Sequence, residues 1–352
     1  MADGAAGVVP LLGMSRAALA EWLAPMGEPA FRAKQLARWI YEAGVLDFGA
    51  MTDLPAALRV ELARRAVVCP ASVDRVHASS DGTLKLVLAL ADGERIEAVA
   101  IPEADRWTLC VSSQVGCPVA CAFCATGLAG VRRSLTVAEI LAQFAIARAR
   151  IAPALLTNVV FMGMGEPLLN AACVLEAISV LNDPDDGFGF GARRITVSTV
   201  GIASKIALLA DDGRQFGLAL SLHAPDDELR RRLVPYPQRA TIAELLEAAA
   251  RYYERTGRVV TIEYVLLAGV NDEPAHGTAL GRLVRGGAFK VNAIPWNPVA
   301  GIPGYARPGP ARVDRFVRAV EREGVGVTVR RQRGDDVAAA CGQLAGLTPG
   351  PP

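Results

Sequence analysis

From Glu28 to Ala66 the apolar residues of EPAFRAKQLARWIYEAGVLDFGAMTDLPAALRVELARRA recur at helical spacing, with Pro55 placed for a first helical turn. The pattern predicts a small helical module. From Val73 to Pro102 apolar and polar residues alternate around Asp81-Gly82 and Asp92-Gly93, two dipeptides suited to hairpin turns. A short antiparallel sheet is expected. Beyond residue 106 the chain carries the apolar runs WTLCVSS, NVVFMGM, RITVSTV, FGLALSL, VVTIEYVLL, KVNAIPW and VGVTVRR, separated by stretches of helical spacing. Two of those stretches open on Thr136 and Thr241, each with a glutamate three residues on (Glu139, Glu244), the signature of a capping box. Strand and helix in alternation imply parallel strands, and hence an α/β fold, either a barrel or a doubly wound sheet. A complete or partial (β/α) barrel is favoured because polar or glycine-rich motifs follow nearly every run, at the strand ends where barrel enzymes build their sites. The expected division is 1–70 for an N-terminal accessory module, 71–105 for the hairpin extension, 106–346 for the barrel and 347–352 for a tail.

A hydrophobic content of 52% supports a large core, and 37 basic against 36 acidic residues leave a net charge of +1. Bulk attraction to nucleic acid is therefore excluded, and an RNA-binding reading must rest on local clusters. Such clusters exist at Arg132-Arg133, Arg193-Arg194, Arg230 to Arg232 and Arg330-Arg331 with Arg333, although any single run is commonly a solvated face. The longest apolar runs fall far short of the roughly 20 residues that span a bilayer, and the first residues lack a basic region followed by an apolar core. The expectation is a cytoplasmic protein with no membrane association.

The chain has 7 cysteines, and three of them, Cys117, Cys121 and Cys124 in GCPVACAFCATG, follow the first predicted barrel strand with CxxxCxxC spacing. Three thiolates so close can hold one soft metal centre. A zinc site that recruits His223 over a long range, and a non-catalytic RNA-binding protein built on it, is the alternative from another class. Cys69 and Cys173 match no motif and read as packing, and His77 and His276 read as surface residues. Glycine-bounded Cys341 also reads as packing on its residues alone, and Glu97, in an alternating run, as an exposed strand position.

The CxxxCxxC loop together with GMGEP after the second barrel strand resembles the radical S-adenosylmethionine (SAM) superfamily, and the fold this implies is a partial barrel of that type. From about residue 27 to 346, TLCVSSQVGC, CAFCATG, TNVVFMGMGEPLLN, SLHAP, RVVTIEYVLL, IPWNP and RGDDVAAACGQLAG are similar to the bacterial RNA methyltransferases of the RlmN and Cfr group. The resemblance implies a [4Fe-4S] cluster on Cys117, Cys121 and Cys124, with two SAM molecules used per turnover. SAM contacts are implied for Gly165, Glu166, Ser198, Ser221, Leu222, His223 and Asn297. Cys341 matches the methyl-carrying cysteine, Cys110 the thiol that resolves the RNA adduct and forms a disulfide with it, and Glu97 a proton acceptor. The activity implied is methylation of carbon 2 of one adenine in 23S rRNA and of the adenine 3′ to the anticodon in tRNA. Carbon 8 methylation in the manner of Cfr is the near alternative. Further implications are an external electron donor of flavodoxin or ferredoxin type, a monomer, and an N-terminal module that engages RNA. The small residues around Cys341 predict a mobile segment at the barrel mouth.

Overall fold

The computed structural model describes residues 8–128, 130–236 and 240–345, so the expected tail 347–352 lies outside the described residues. At the N-terminus β1 (Val9–Pro10), α1 (Arg16–Leu23), α2 (Phe31–Ala37), α3 (Ala56–Arg65) and β2 (Ala66–Val67) form the helical module, and β1 pairs with β2 in parallel. The module starts before Glu28, because Ser15 caps α1 by accepting from the Ala18 N–H and Leu19 and Leu23 bury one face. Pro55 stands one residue before α3 as its N-cap. The module is pinned to the rest of the chain by Arg148, which donates to the carbonyls of Tyr41 and Glu42 at 2.7 and 2.6 Å.

The next strands, β3 (Ala71–Ala78), β4 (Leu84–Leu90) and β5 (Arg95–Glu103), form the expected antiparallel meander. It is not a separate sheet. β5 also pairs antiparallel with β6 (Arg106–Cys110), so the meander continues directly into the barrel wall. Beyond β6 come β7 (Gln114–Gly116), α4 (Ala125–Leu128), β8 (Val131–Ser134), α5 (Val137–Ile151), β9 (Leu156–Phe161), α6 (Ala171–Asn182), β10 (Ile195–Thr199) and α7 (Ala203–Asp211). The chain ends its barrel with β11 (Gly217–Ser221), α8 (Asp227–Leu233), α9 (Ile242–Thr256), β12 (Val260–Leu266), α10 (Pro274–Val284), β13 (Phe289–Pro295), α11 (Pro310–Glu321) and β14 (Val327–Val329).

The main sheet has 10 strands in the order β14-β13-β12-β11-β10-β9-β6-β5-β4-β3, and every neighbouring pair from β6 to β14 is parallel. Among the described residues no pairing joins β14 to β3, so this is the partial barrel expected from the motifs. Both capping boxes are present: Thr136 with Glu139 starts α5, and Thr241 with Glu244 starts α9. Each satisfies two backbone N–H groups that a helix start leaves unpaired. No helix is long and apolar enough to cross a membrane among the described residues.

Candidate active site

The carboxyl ends of the parallel strands meet at a cavity of about 150 Å³ that brings together residues from most of the sequence motifs. Cys117, Cys121 and Cys124 line it on one side, and Gly165, Glu166, Ser198, Ser221, His223 and Asn297 line the rest. Leu222 does not line it: its side chain belongs to the core, and its backbone N–H donates to the Glu263 carbonyl at 3.0 Å. Any ligand contact from Leu222 would therefore run through its own carbonyl.

The donor set fits an iron–sulfur cluster. Burial pushes the Cys117 thiol up to about 12 and raises Cys121 and Cys124 as well, while backbone N–H groups of Val119 and Gly165 favour thiolate at Cys117, and those of Thr126 and Gly127 favour it at Cys124. Thiols this buried gain anionic character only when a cation takes them up. Among the described residues no group of three His, Cys, Asp or Glu side chains converges tightly enough for one metal ion. A cluster that gives each thiolate its own iron does not require that convergence.

Opposite the thiols, Glu166 is buried. Its two oxygens accept from the Leu168 and Val200 N–H groups, each at 2.9 Å, which ties the loop after β9 to the loop after β10. Burial raises the Glu166 carboxyl, and these bonds oppose the rise. Ser198 and Ser221 lie with their hydroxyls 3.3 Å apart. His223 sits at φ 63° and accepts from the Val265 N–H at Nδ1, so its Nε2 carries the proton. Burial, helped by Arg230, depresses it to about 3 and keeps the imidazole neutral.

A second cavity, of about 640 Å³, lies beside the first and is lined by Cys110, Thr108, Asn292, Arg330, Arg331 and Arg333 among others. Cys341 lines both cavities. Its segment, read as mobile from its small residues, is hydrogen-bonded to the barrel at several points. Asn297 donates to the Cys341 carbonyl at 3.2 Å, the Ala125 N–H to the Gly342 carbonyl at 2.7 Å, and Gln343 to the Pro298 carbonyl at 2.9 Å. Bonds to residues distant in sequence thus hold a stretch with no helix or strand around the sulfur. Cys110 is buried at the end of β6, and burial pushes its thiol up to about 12, with the nearby Cys341 adding to the rise.

Comparison with known proteins decides the family. Residues 9–68 match the ribosomal RNA large subunit methyltransferase N-terminal domain, and residues 111–280 match the radical SAM superfamily. The chain is 49% identical over 335 residues to a probable dual-specificity RNA methyltransferase RlmN of Gloeobacter violaceus, covering 95% of this chain and 94% of that one. The dual-specificity RNA methyltransferase RlmN of Halorhodospira halophila is 45% identical, over 98% of this chain and 96% of its own. The chain belongs to the RlmN family. A solved radical SAM methyltransferase from Sphaerobacter thermophilus superposes with a TM-score of 0.93 at 45% identity, covering 96% of this chain and all of that one.

As a member of the RlmN family the chain is a radical SAM enzyme, and the family implies the [4Fe-4S] cluster and SAM; the zinc-only and Cfr-like readings are not favoured. Glu97 takes an unexpected place. It is 3% exposed rather than a surface position, lines neither cavity, and spends its carboxylate on Lys85 and on the Ala345 N–H. Met162 and Glu263, neither singled out as a site residue by sequence, and Arg330, read only as part of a basic cluster, complete the walls. Arg330 lines both cavities and donates to the Met162 sulfur at 3.7 Å. Two of them carried a readable signal: Arg330 is a charge at the end of the apolar run VGVTVRR, and Glu263 is a lone charge in VVTIEYVLL.

Proposed function

We propose that this enzyme methylates carbon 2 of an adenine in 23S rRNA and of the adenine 3′ to the anticodon in tRNA, with Cys341 as methyl carrier. The observation that carries the reading is that Cys341 borders both cavities, the one built on the cluster thiols and the wider one that contains Cys110. When bound, the cluster and SAM supply an electron, a methyl group and a carbon-centred radical. Cys341 gives up its thiol proton as it accepts the methyl group on sulfur, passes a hydrogen atom of that methyl to the SAM-derived radical, and bonds through the remaining carbon to carbon 2, whose hydrogen then leaves as a proton. The Cys110 thiolate attacks the Cys341 sulfur, so that the sulfur–carbon bond breaks, the freed carbon takes a proton to become the methyl group, and the odd electron returns to the bound cluster as the disulfide forms. An amidine carbon such as carbon 2 is a poor nucleophile, which is why a carrier thiol serves here where direct methyl transfer would not.

Glu166, Ser198, Ser221, His223 and Asn297 hold SAM, with Gly165 leaving space for it and Leu222 contributing backbone. The neutral His223 offers a hydrogen-bond donor that stays uncharged at physiological pH. Glu97 serves as proton acceptor only if the base's proton reaches it past the Cys341 segment. Arg330, Arg331 and Arg333 line the wider cavity and suit RNA phosphate, and the adenine must leave its stack to enter. One turnover consumes two SAM molecules and draws on a flavodoxin- or ferredoxin-type donor, and the enzyme acts as a monomer in the cytoplasm. The test is anaerobic reconstitution with SAM, reductant and ribosomal RNA fragments, followed by nucleoside mass analysis. Carbon 2 methyladenosine is expected; carbon 8 product, or normal methylation by Cys341→Ala, refutes the assignment.

A further inference from the structure

We propose that Lys85 is a positioning residue for Cys341: paired with Glu97, it clasps the Cys341 segment on both sides of the sulfur. The proposal rests on the methyl-carrier reading of Cys341. The sheet register brings the pieces together. Cys110 pairs with Val99 across β6 and β5, and Val99 pairs with Lys85 across β5 and β4, so the thiol and the ammonium share one row on one face. Glu97 lies two residues from Val99 and so points to the same face. Leu86, Leu88, Ile96, Ala98 and Ala100 take the other face into the core.

The Lys85 ammonium stands 3.4 Å from Glu97 Oε1, with the two side chains 7% and 4% exposed. Each partner has a second bond, and both go to the same segment. Lys85 donates to the Ala338 carbonyl at 3.3 Å, and Glu97 Oε2 accepts from the Ala345 N–H at 3.0 Å. Ala338 precedes the sulfur and Ala345 follows it, so the pair fixes both ends of the stretch that carries Cys341. The pair is itself held to the frame of the site. The Glu97 carbonyl accepts from the Ser112 hydroxyl at 2.6 Å, and that hydroxyl accepts from the Met164 N–H at 2.9 Å, beside Gly165. At the tip of the β3–β4 hairpin, Ser79 and the Ser80 N–H donate to Asp336 at 2.6 and 3.0 Å, while Asp81 accepts from the Gly334 N–H at 3.1 Å. The meander is thus a cradle for the carrier segment, and a buried charge pair is its deepest contact. Two charges taken out of water contribute little net stability, and apolar residues of similar volume often replace them without loss. A pair that adds little to stability yet bonds the carrier segment at two points fits a role in placing the sulfur.

The test uses anaerobically reconstituted holoenzyme carrying Lys85→Met, or Lys85→Met with Glu97→Leu. The double variant guards against misfolding, since it leaves no unpaired buried charge. Melting temperature, iron content, hydrogen exchange of the 334–345 peptide, and the rate and SAM dependence of Cys341 S-methylation by intact mass are measured. The double variant is expected to keep its melting temperature and iron, with exchange in 334–345 about 10-fold faster from the lost charge-assisted bonds. S-methylation should slow by about the same factor at nearly unchanged KM for SAM, because Glu166, Ser198, Ser221 and His223, which come from other strands, keep their places. S-methylation at the parental rate in a folded double variant, or unchanged exchange in the segment, overturns the clasp. A parent enzyme that never methylates Cys341 refutes the carrier reading instead, and the exchange measurement still decides the clasp.

Discussion

Gly165→Ala tests the proposed SAM site through its backbone. Gly165 sits at φ +100°, and a Cβ there would lie 2.7 Å from Gln114 Cβ and 2.8 Å from the Gln114 backbone nitrogen. Gln114 cannot yield easily, since it lies on β7 and its side-chain oxygen accepts from the Glu166 N–H at 2.9 Å. An L-residue at positive φ costs about 1–2 kcal/mol, and overpacking at a rigid neighbour about 1–3 kcal/mol, so the loop faces about 2–5 kcal/mol of strain. The loop can relieve it by moving away from Gln114, and it would carry Glu166 with it. If the whole cost appears in ligand binding, at about 1.4 kcal/mol per decade the affinity for SAM falls between about 30-fold and several thousand-fold. Equilibrium dialysis with labelled SAM on reconstituted enzyme measures this. Gly213→Ala is the control, because φ there is +77° and nothing lies within 4 Å of the added Cβ. It should lower stability by about 1–2 kcal/mol and leave SAM affinity alone. Gly165→Ala binding SAM within about threefold of the parent, at an unchanged melting temperature, would refute the reasoning.

Three further outcomes follow from the same geometry. Cys110→Ala should leave RNA covalently attached to Cys341, seen as retained RNA on denaturing electrophoresis; free RNA and normal turnover would remove Cys110 from the resolving step. Arg312 donates to the buried Asp272 carboxylate at 2.6 and 2.7 Å, so Arg312→Met, which leaves that carboxylate unpaired, should lower the denaturant midpoint, and an unchanged midpoint would show that the clamp adds nothing. Asp81 is depressed from 3.8 to about 2: burial opposes the shift, and hydrogen bonds from Thr83, Ser79 and Gly334 outweigh it. A depressed carboxyl stabilises the fold above its unfolded value, so this contribution should be whole above about pH 4 and vanish as pH falls toward 2. The unfolding free energy of Asp81→Asn should accordingly fall less steeply over that window than the parent's, and equal slopes would remove Asp81 from the linkage.

The parallel strands of the barrel were legible because each is a short apolar run ending in polar or glycine-rich residues, and both long capping boxes could be read at fixed offsets. What could not be read was the extent of the sheet. Alternation in β4 and β5 predicts one wet face, and on that basis Glu97 should be exposed. The pairing of β5 with β6 puts that face inside the molecule instead, where the Cys341 segment covers it. The helix α1 was missed because its buried face amounts to two leucines, and β7 and β8 because strands of 3 and 4 residues carry no measurable period. Residues matched to motifs converge on the two cavities, except Leu222 and Glu97, while Lys85 belongs to no motif and Arg330 was legible only as one of a basic cluster.

The position of Cys341 follows from the same limit on local reading. A glycine-bounded run of alanines has no periodic face and no strong propensity, and taken alone it reads as mobile. Yet its backbone carbonyl and N–H groups are bonded by Lys85, Glu97, Ala125, Thr126 and Asn297, and its Gln343 side chain donates to the Pro298 carbonyl. A segment held at this many points is costly to displace, since each buried backbone group would have to find another partner. Cys341 already borders both cavities, so on the proposed carrier role a change of side-chain rotamer would carry its sulfur from one to the other at far lower cost than travel of the whole segment. On the proposed carrier role, a backbone bonded at these points would confine the methyl group to the path between the cluster side and Cys110.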